Sequence, residues 1–324
     1  MVTRREALQI IGGTVAGLVV GGVVGYYGGK LSAPSGPSGP SEKPKLKFGV
    51  LFPFTGGMAP LGAPEGWGAI EAIEMVNDRG GVLGNKVEYV VADSKSDPST
   101  GASEAERLIS VNGVTAIIGY FSSSIDMAVS EVCERHKVVS WGCGEVADKI
   151  TQRGYKYVFR PHVSGGAFVT VTVDFLQKVI PDALGKKPGD ITIAEFHEDG
   201  AWGTSIGNAL KYMNDHLDEP FNIVLSEGYS SRATDFSSLL LKVKSVNPDI
   251  IINAGNPTDI LIIAKQMRDL GVKTHVIIGH GSSWVTKPLY DTLGKDSNYI
   301  LGLSLIHISE PTRPLYISYA VFCL

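Results

Sequence analysis

The chain has 324 residues, 44% of them hydrophobic and 19% charged, and its 33 acids against 29 bases leave a net charge of −4. A balance this near neutrality excludes the dense cationic surface that a nucleic-acid partner requires. The cysteines Cys133, Cys143 and Cys323 form neither a CxxC nor a Cys/His spacing, so a disulfide framework, a structural zinc site and a bound cofactor all lack a motif.

The N-terminus sets the compartment. Arg4 and Arg5 precede an uncharged, largely apolar run over residues 8–29. The twin arginines resemble a Tat export signal, with Ala7 and Gln9 where that motif usually has Phe and Lys. The run is also long enough to cross a bilayer core, which takes about 20 helical residues. Residues 1–30 therefore read either as a cleaved signal or as a retained membrane anchor with its basic flank in the cytoplasm. Pro34, after Leu31-Ser32-Ala33, disfavours cleavage there. Gly13, Gly17, Gly21, Gly25 and Gly29 recur every fourth residue and would give an anchor helix one smooth stripe for a second copy, an anchor-helix dimer. Residues 31–44 are rich in Pro, Gly and Ser and have too little apolar surface to pack, so they read as an extended tether.

From residue 45 apolar strands alternate with amphipathic helices. A strand over 47–52 leads to a helix from about residue 65 to 79, with Ala69, Ile70, Ala72, Ile73 and Val76 on one face. A strand over 87–92 follows. Asp97-Pro98-Ser99 supplies helix-start chemistry for a segment whose apolar side is Ala105, Leu108 and Ile109. A short strand over 116–119, a helix carrying Ile125, Ala128, Val129, Val132 and Cys133 on one face, and a strand over 138–141 complete this half. A second series has strands over 191–196, 222–226, 250–254 and 276–279, alternating with helices over 168–179, 204–216, 236–246 and 258–270. Such alternation specifies α/β architecture with mostly parallel sheets, because parallel strands need crossover connections, and the length suits two domains. There is no GxSxG, P-loop or HExxH, and the glycines of Gly80-Gly81-Val82-Leu83-Gly84 end a helix instead of opening one, so an enzyme is not expected.

The stretch over 47–97, KFGVLFPFTGGMAPLGAPEGWGAIEAIEMVNDRGGVLGNKVEYVVADSKSD, resembles the opening of the branched-chain amino acid and amide binding proteins, the extracytoplasmic receptors of ABC importers. The segment TQRGYKYVFRP over 151–161 resembles the point where that family's chain leaves its first lobe for its second. The resemblance implies a two-lobed type I periplasmic binding fold, each lobe a mostly parallel doubly wound sheet, with lobe 1 over 45–161 and lobe 2 over 162–302. It also implies a small-molecule ligand and a membrane permease as partners. Family members return to lobe 1 for further elements. That return is missing here, so the fold is expected to be truncated at its C-terminus by about 100 residues if each lobe is an ordinary domain. Residues 303–324, LSLIHISEPTRPLYISYAVFCL, resemble a translated sequencing adapter; the alternative is a strand-like tail with alternating Ile317, Tyr319, Val321 and Cys323.

Ligands of open α/β sheets bind outside the carboxyl ends of the strands. Ser122, Ser123 and Ser124 follow the strand ending at Gly119, at a helix start where free N–H groups and hydroxyls can hold a carboxylate or carbonyl oxygen. Plain N-capping by one serine is the alternative, and the resemblance, whose members contact ligand with such a run, favours binding, with Ser123 and Ser124 as the preferred contacts. The loop over 140–145 stands where amino-acid-binding relatives carry a Ser-Pro-Gly-Ala-Thr type sequence. Here Trp141 replaces the proline, and Cys143 and Gly144 replace the small residue and threonine. Trp141 either stacks on a planar ligand or packs under the loop. Trp202 resembles the family's aromatic that closes over the ligand, and Asn256, with Thr258, matches a second contact. The adjacent His197, Glu198 and Asp199 do not converge easily on one metal ion. His280 stands where relatives have an acid that pairs with the ligand ammonium. Either Glu145 or Asp199 then supplies that charge, or the ligand is an amide, a urea-like compound or a carboxylate. The function expected is capture of a small polar organic solute for import. The alternative is a ligand-sensing ectodomain whose signalling part follows.

Overall fold

The computed structural model describes residues 46–303. Its first sheet is built on the apolar run β1 (Lys47–Phe52), which buries Val50, Leu51 and Phe52 completely. Helix α1 (Ala59–Asp78) begins before the expected residue 65. Pro60 sits in its first turn, where a missing N–H costs nothing, and Pro64 lies inside the helix, leaving one intrahelical bond unmade. The early start is possible because α1 lies very close to the strand end: a Cβ on Gly66 would meet the Phe54 ring at 2.6 Å.

Strands β2 (Glu88–Asp93), β3 (Ala116–Gly119), β4 (Val139–Gly142) and β5 (Val158–Phe159) join β1 in a parallel sheet of order β2-β1-β3-β4-β5. Helices α2 (Pro98–Ser110) and α3 (Ser123–His136) cover one face through Ala105, Leu108, Val129 and Cys133, while α1 covers Val50 and Phe52 on the other. Asp97 caps α2 by accepting the Thr100 N–H at 2.8 Å, as its sequence announces. A short helix α4 (Lys149–Gln152) follows β4.

The chain then enters a second sheet. Helices α5 (Gly165–Lys178) and α6 (Ile180–Leu184) precede β6 (Thr192–Glu198), α7 (Ala201–Asp215), β7 (Asn222–Tyr229), α8 (Ser237–Val246), β8 (Ile250–Ala254), α9 (Pro257–Leu270), β9 (Val276–His280), α10 (Lys287–Leu293) and β10 (Ile300–Leu303). All pairings are again parallel, in the order β10-β9-β8-β6-β7. Counted from its own first strand, each sheet runs second, first, third, fourth, fifth. Both lobes therefore have a switch point beside their first strand, between β1 and β3 and between β6 and β8. Helices α5 and α7 pack one face of the second sheet and α8, α9 and α10 the other.

The two-residue β5 lies below the length at which a pattern can be read, and β10 was not expected from the sequence. Leu303, placed beyond lobe 2 by the sequence reading, pairs with His280 and joins the lobe 2 core. The signal or anchor over 1–30 with its dimer stripe, the tether over 31–44 and the segment after Leu303 lie outside the described residues. Among the described residues no helix is long and apolar enough to cross a membrane.

Asp249, almost fully buried, fastens the start of β6 beside that of β8. It accepts the Thr192 N–H at 2.9 Å, the Thr192 hydroxyl at 3.0 Å and the Lys186 ammonium at 2.6 Å. Burial pushes its carboxyl up, but these donors outweigh that and hold it below the usual carboxylate range. Asp249→Ala is expected to lower unfolding free energy by about 2–4 kcal/mol near neutral pH, since it orphans buried donors. With the folded pKa depressed, the stabilisation is complete above about pH 4 and lost as pH falls through the folded value. Denaturant melts at pH 7 and pH 3 should show the variant's deficit shrinking at the lower pH.

Candidate functional site

Residues following β1 and β3 in one lobe and β6 and β8 in the other line a common cleft of about 630 Å3, within the size range of small-molecule sites. Lobe 1 contributes Met58, Leu61 and Glu65 from α1, Phe121 and the serine run after β3, and Gly144. Lobe 2 contributes Glu198, Asp199, Gly200 and Trp202 after β6, Ser230, Ser231 and Arg232 after β7, and Asn256 after β8.

The two lobes present equivalent helix starts. Ser122 is the N-cap residue of α3 and Asn256 that of α9, each after the third strand of its own sheet, and neither side chain bonds its own helix. The first turn of α3 thus keeps N–H groups that the Ser122 side chain leaves free at the cleft, whereas in α9 Pro257 has no N–H and the Asp259 carboxylate accepts from the Asn256 and Asp259 backbone. Phe121, just before Ser122, holds φ at +69°, a left-handed conformation that is costly for a non-glycine residue and common at binding loops.

The serine run divides its labour. The buried Ser123 hydroxyl oxygen accepts the N–H groups of Val146 and Ala147, each at 3.2 Å, and so fixes the loop after β4. Ser124 accepts the Ala201 N–H at 3.1 Å, a bond from lobe 1 to the first residue of α7 in lobe 2. Ser122 makes no side-chain hydrogen bond among the described residues and faces the cleft. Two more links join the lobes beside it. The Asp148 N–H donates to the Ser205 hydroxyl oxygen at 3.1 Å, and that hydroxyl donates to the Asp148 carboxylate at 2.7 Å. Arg232 pairs with Asp97 at 3.3 Å.

Three residues expected at the ligand lie outside the cleft wall. Trp141 shares a strand register with Ile118 and Phe159 and stacks on Phe159, ring centroids 6.3 Å apart, on the α1 side of the sheet. Cys143 packs against the apolar cluster of Val50 and Phe52, its N–H donates to the Gly119 carbonyl at 2.6 Å, and burial pushes its thiol up to about 12. His280 is fully buried, with Nε2 at 2.8 Å from the Thr172 hydroxyl, and burial lowers its pKa to about 4, so it is neutral at physiological pH. Gly144, Trp202 and Asn256 do line the cleft. Trp202 meets Phe168 edge to face at 5.6 Å, and both rings form its apolar wall.

Glu145 also lies outside the cleft wall. It is buried beneath its loop, where one oxygen accepts the N–H groups of Tyr120, Cys143 and Gly144 at 3.1, 3.3 and 3.1 Å. Burial, then the neighbouring Asp126 carboxylate, raises its pKa well above the ordinary value. The three adjacent polar residues of lobe 2 diverge. His197 bonds Glu195 at 2.6 Å, while the two oxygens of Glu198 accept the Gly200 and Gly203 N–H groups at 2.7 and 2.8 Å.

Glu65 and Arg232 are cleft residues that the sequence reading passed over. Glu65 had a signal: Met58, Leu61 and Glu65 recur at helical spacing. It is visible only once α1 is known to begin at Ala59.

Ser123→Ala removes the acceptor of two buried N–H groups and is expected to cost about 2–4 kcal/mol of stability. Ser122→Ala, with no bond to lose, should stay within about 0.5 kcal/mol of the parent. Parallel urea melts of the two variants check this division.

The α/β architecture is the expected two-lobed type I periplasmic binding fold. Leu/Ile/Val-binding protein homolog 7 of Brucella suis biovar 1 (strain 1330) is 37% identical over 252 residues, covering 78% of this chain and 62% of the relative, so the chain spans less than two thirds of that protein's length. Among solved structures, the leucine binding protein LivK from Thermotoga maritima MSB8 superposes with a TM-score of 0.65 at 25% identity, over 77% of this chain and 67% of that one. A fatty acid ABC transporter substrate-binding protein from Thermomonospora curvata gives 0.66 at 24% identity, over 82% of this chain and 65% of that one. Neighbours of one fold thus carry names with different solutes. A family profile described as periplasmic binding protein matches residues 45–305, and the chain belongs to that family of binding proteins.

Proposed function

We propose that the chain is the extracytoplasmic solute receptor of an ABC importer, capturing a small polar organic solute such as an amino acid, amide or related carboxylate between its lobes. The observation that carries this reading is the pair of helix-start residues, Ser122 and Asn256, that two topologically equivalent lobes aim at one cleft with both side chains unbonded to their own helices. A ligand oxygen accepts hydrogen bonds from the α3 start and the Ser122 hydroxyl, while Asn256 supplies an amide from the opposite wall. Trp202 and Phe168 cover the ligand's apolar part.

Capture works by closure. The links Ser124 to Ala201, Asp148 to Ser205 and Asp97 to Arg232 tie the lobes together, but they are few and partly exposed. A ligand touching both walls binds the closed state better than the open one and shifts the population toward it. The closed form is then the one a membrane permease engages. Residues 1–30, as a retained anchor, and the tether over 31–44 would hold the receptor near that permease, with the glycine stripe available for an anchor-helix dimer.

Calorimetric titration of the purified chain against the common L-amino acids, short amides, urea and short carboxylates tests the reading. At least one compound should bind with micromolar or tighter affinity and raise the melting temperature. Trp202→Ala should weaken that compound about tenfold or more, by loss of its apolar cover. Absence of binding across the panel, or full affinity in both Trp202→Ala and Ser122→Ala, would sink the proposal.

A further inference from the structure

Within that reading, we infer that Glu65 is the specificity-determining acid of the cleft, accepting a ligand ammonium group from helix α1. The inference rests on the cleft being the solute site. Glu65 lies in the cleft wall about two turns into α1, on the same face as Met58 and Leu61. Neither carboxylate oxygen has a hydrogen-bond partner among the described residues, and Oε2 is buried. A half-buried acid whose inner oxygen has no internal partner carries part of the cost of desolvation unless something that enters the cleft relieves it.

The other acids near the ligand space are already committed or differently placed. Both oxygens of Glu198 hold N–H groups at the start of α7. Glu145 is sealed under its loop on backbone donors, and Asp97 is occupied by its own helix cap and by Arg232. Asp199 lines the opposite wall in lobe 2, whereas Glu65 stands in lobe 1 with the uncapped α3 start. One lobe thus offers both an anion site and a cation acceptor, the two charges of a zwitterion. The position after β9, occupied by buried neutral His280 and by Gly281, cannot serve as acceptor for a charged amine.

Gly144 completes the arrangement. A Cβ there would come within 2.6 Å of Glu65 Oε2 and 2.9 Å of Oε1. In its present position the carboxylate thus fits against the loop after β4 because residue 144 has no side chain. Burial also pushes the Glu65 carboxyl up to about 7, so an arriving ammonium would favour its ionised form.

The test titrates parent, Glu65→Gln and Glu65→Asp proteins with L-leucine and with 4-methylpentanoate, which has the same carboxylate and hydrocarbon without the ammonium. The parent should prefer L-leucine by roughly 30-fold or more. Glu65→Gln should abolish that preference while binding 4-methylpentanoate within about twofold of the parent, and Glu65→Asp should keep part of it. An unchanged preference in Glu65→Gln overturns the role of Glu65 and leaves the receptor reading intact. Parallel losses for both compounds also overturn it, since they report damage to the site and not a lost charge pair. If the parent binds an amide or carboxylate from the wider panel but neither of these two by preference for the amine, the ammonium assignment is wrong. If it binds nothing in that panel, the receptor reading itself fails.

Discussion

Parallel pairing is the constraint on which the rest of the molecule depends. A parallel strand pair requires a crossover, and a helix that follows a strand starts at the carboxyl edge of the sheet, so these helix starts of a lobe lie on one rim. Where the strand order reverses, beside β1 and β6, adjacent connections leave in opposite directions and open a crevice. Two sheets of the same order, placed with these crevices toward one cleft, bring helix starts to it without any special sequence motif. The serines, Asn256 and Trp202 then refine a site whose position the topology has already fixed.

Electrostatics separates the groups that build the wall from those that read a ligand. Ser123, Glu198 and one oxygen of Glu145 are each taken up by backbone N–H groups and hold loops in place. Ser122, Asn256 and Glu65 face the same space with side-chain capacity unspent among the described residues. This division matters for substitution data: truncating a member of the first group disturbs the shape of the cleft, and a loss of affinity there says little about contact with solute. The inter-lobe links involve small or exposed groups, which suits a joint that must open and close within a few kcal/mol.

Much of the fold was legible because helix and strand periods differ so clearly here. Ile125, Ala128, Val129, Val132 and Cys133 mark α3 at helical spacing, and the all-buried run Ile250–Ala254 marks β8 as a strand covered on both faces. The start of α1 was hidden by Pro64, which argues for a break until the packing of Gly66 on Phe54 is known, and with that start the place of Glu65 was hidden too. Trp141 depended on register: its ring falls on the face of Ile118 and Phe159 through pairings between distant strands, which no local pattern encodes. The different duties of Ser122, Ser123 and Ser124 were likewise invisible, since the partners of the latter two lie in the loop after β4 and in the other lobe.

The central claim is that one solute is held by both lobes at the carboxyl edges of their sheets. Hydrogen-exchange mass spectrometry with and without a saturating solute tests it most directly, because ligand contact and lobe closure both slow exchange of the backbone amides involved. The account predicts simultaneous protection of peptides spanning residues 121–125 and 143–148 in lobe 1 and 198–205 and 255–260 in lobe 2. Protection confined to one lobe, or centred away from these strand ends, would contradict it.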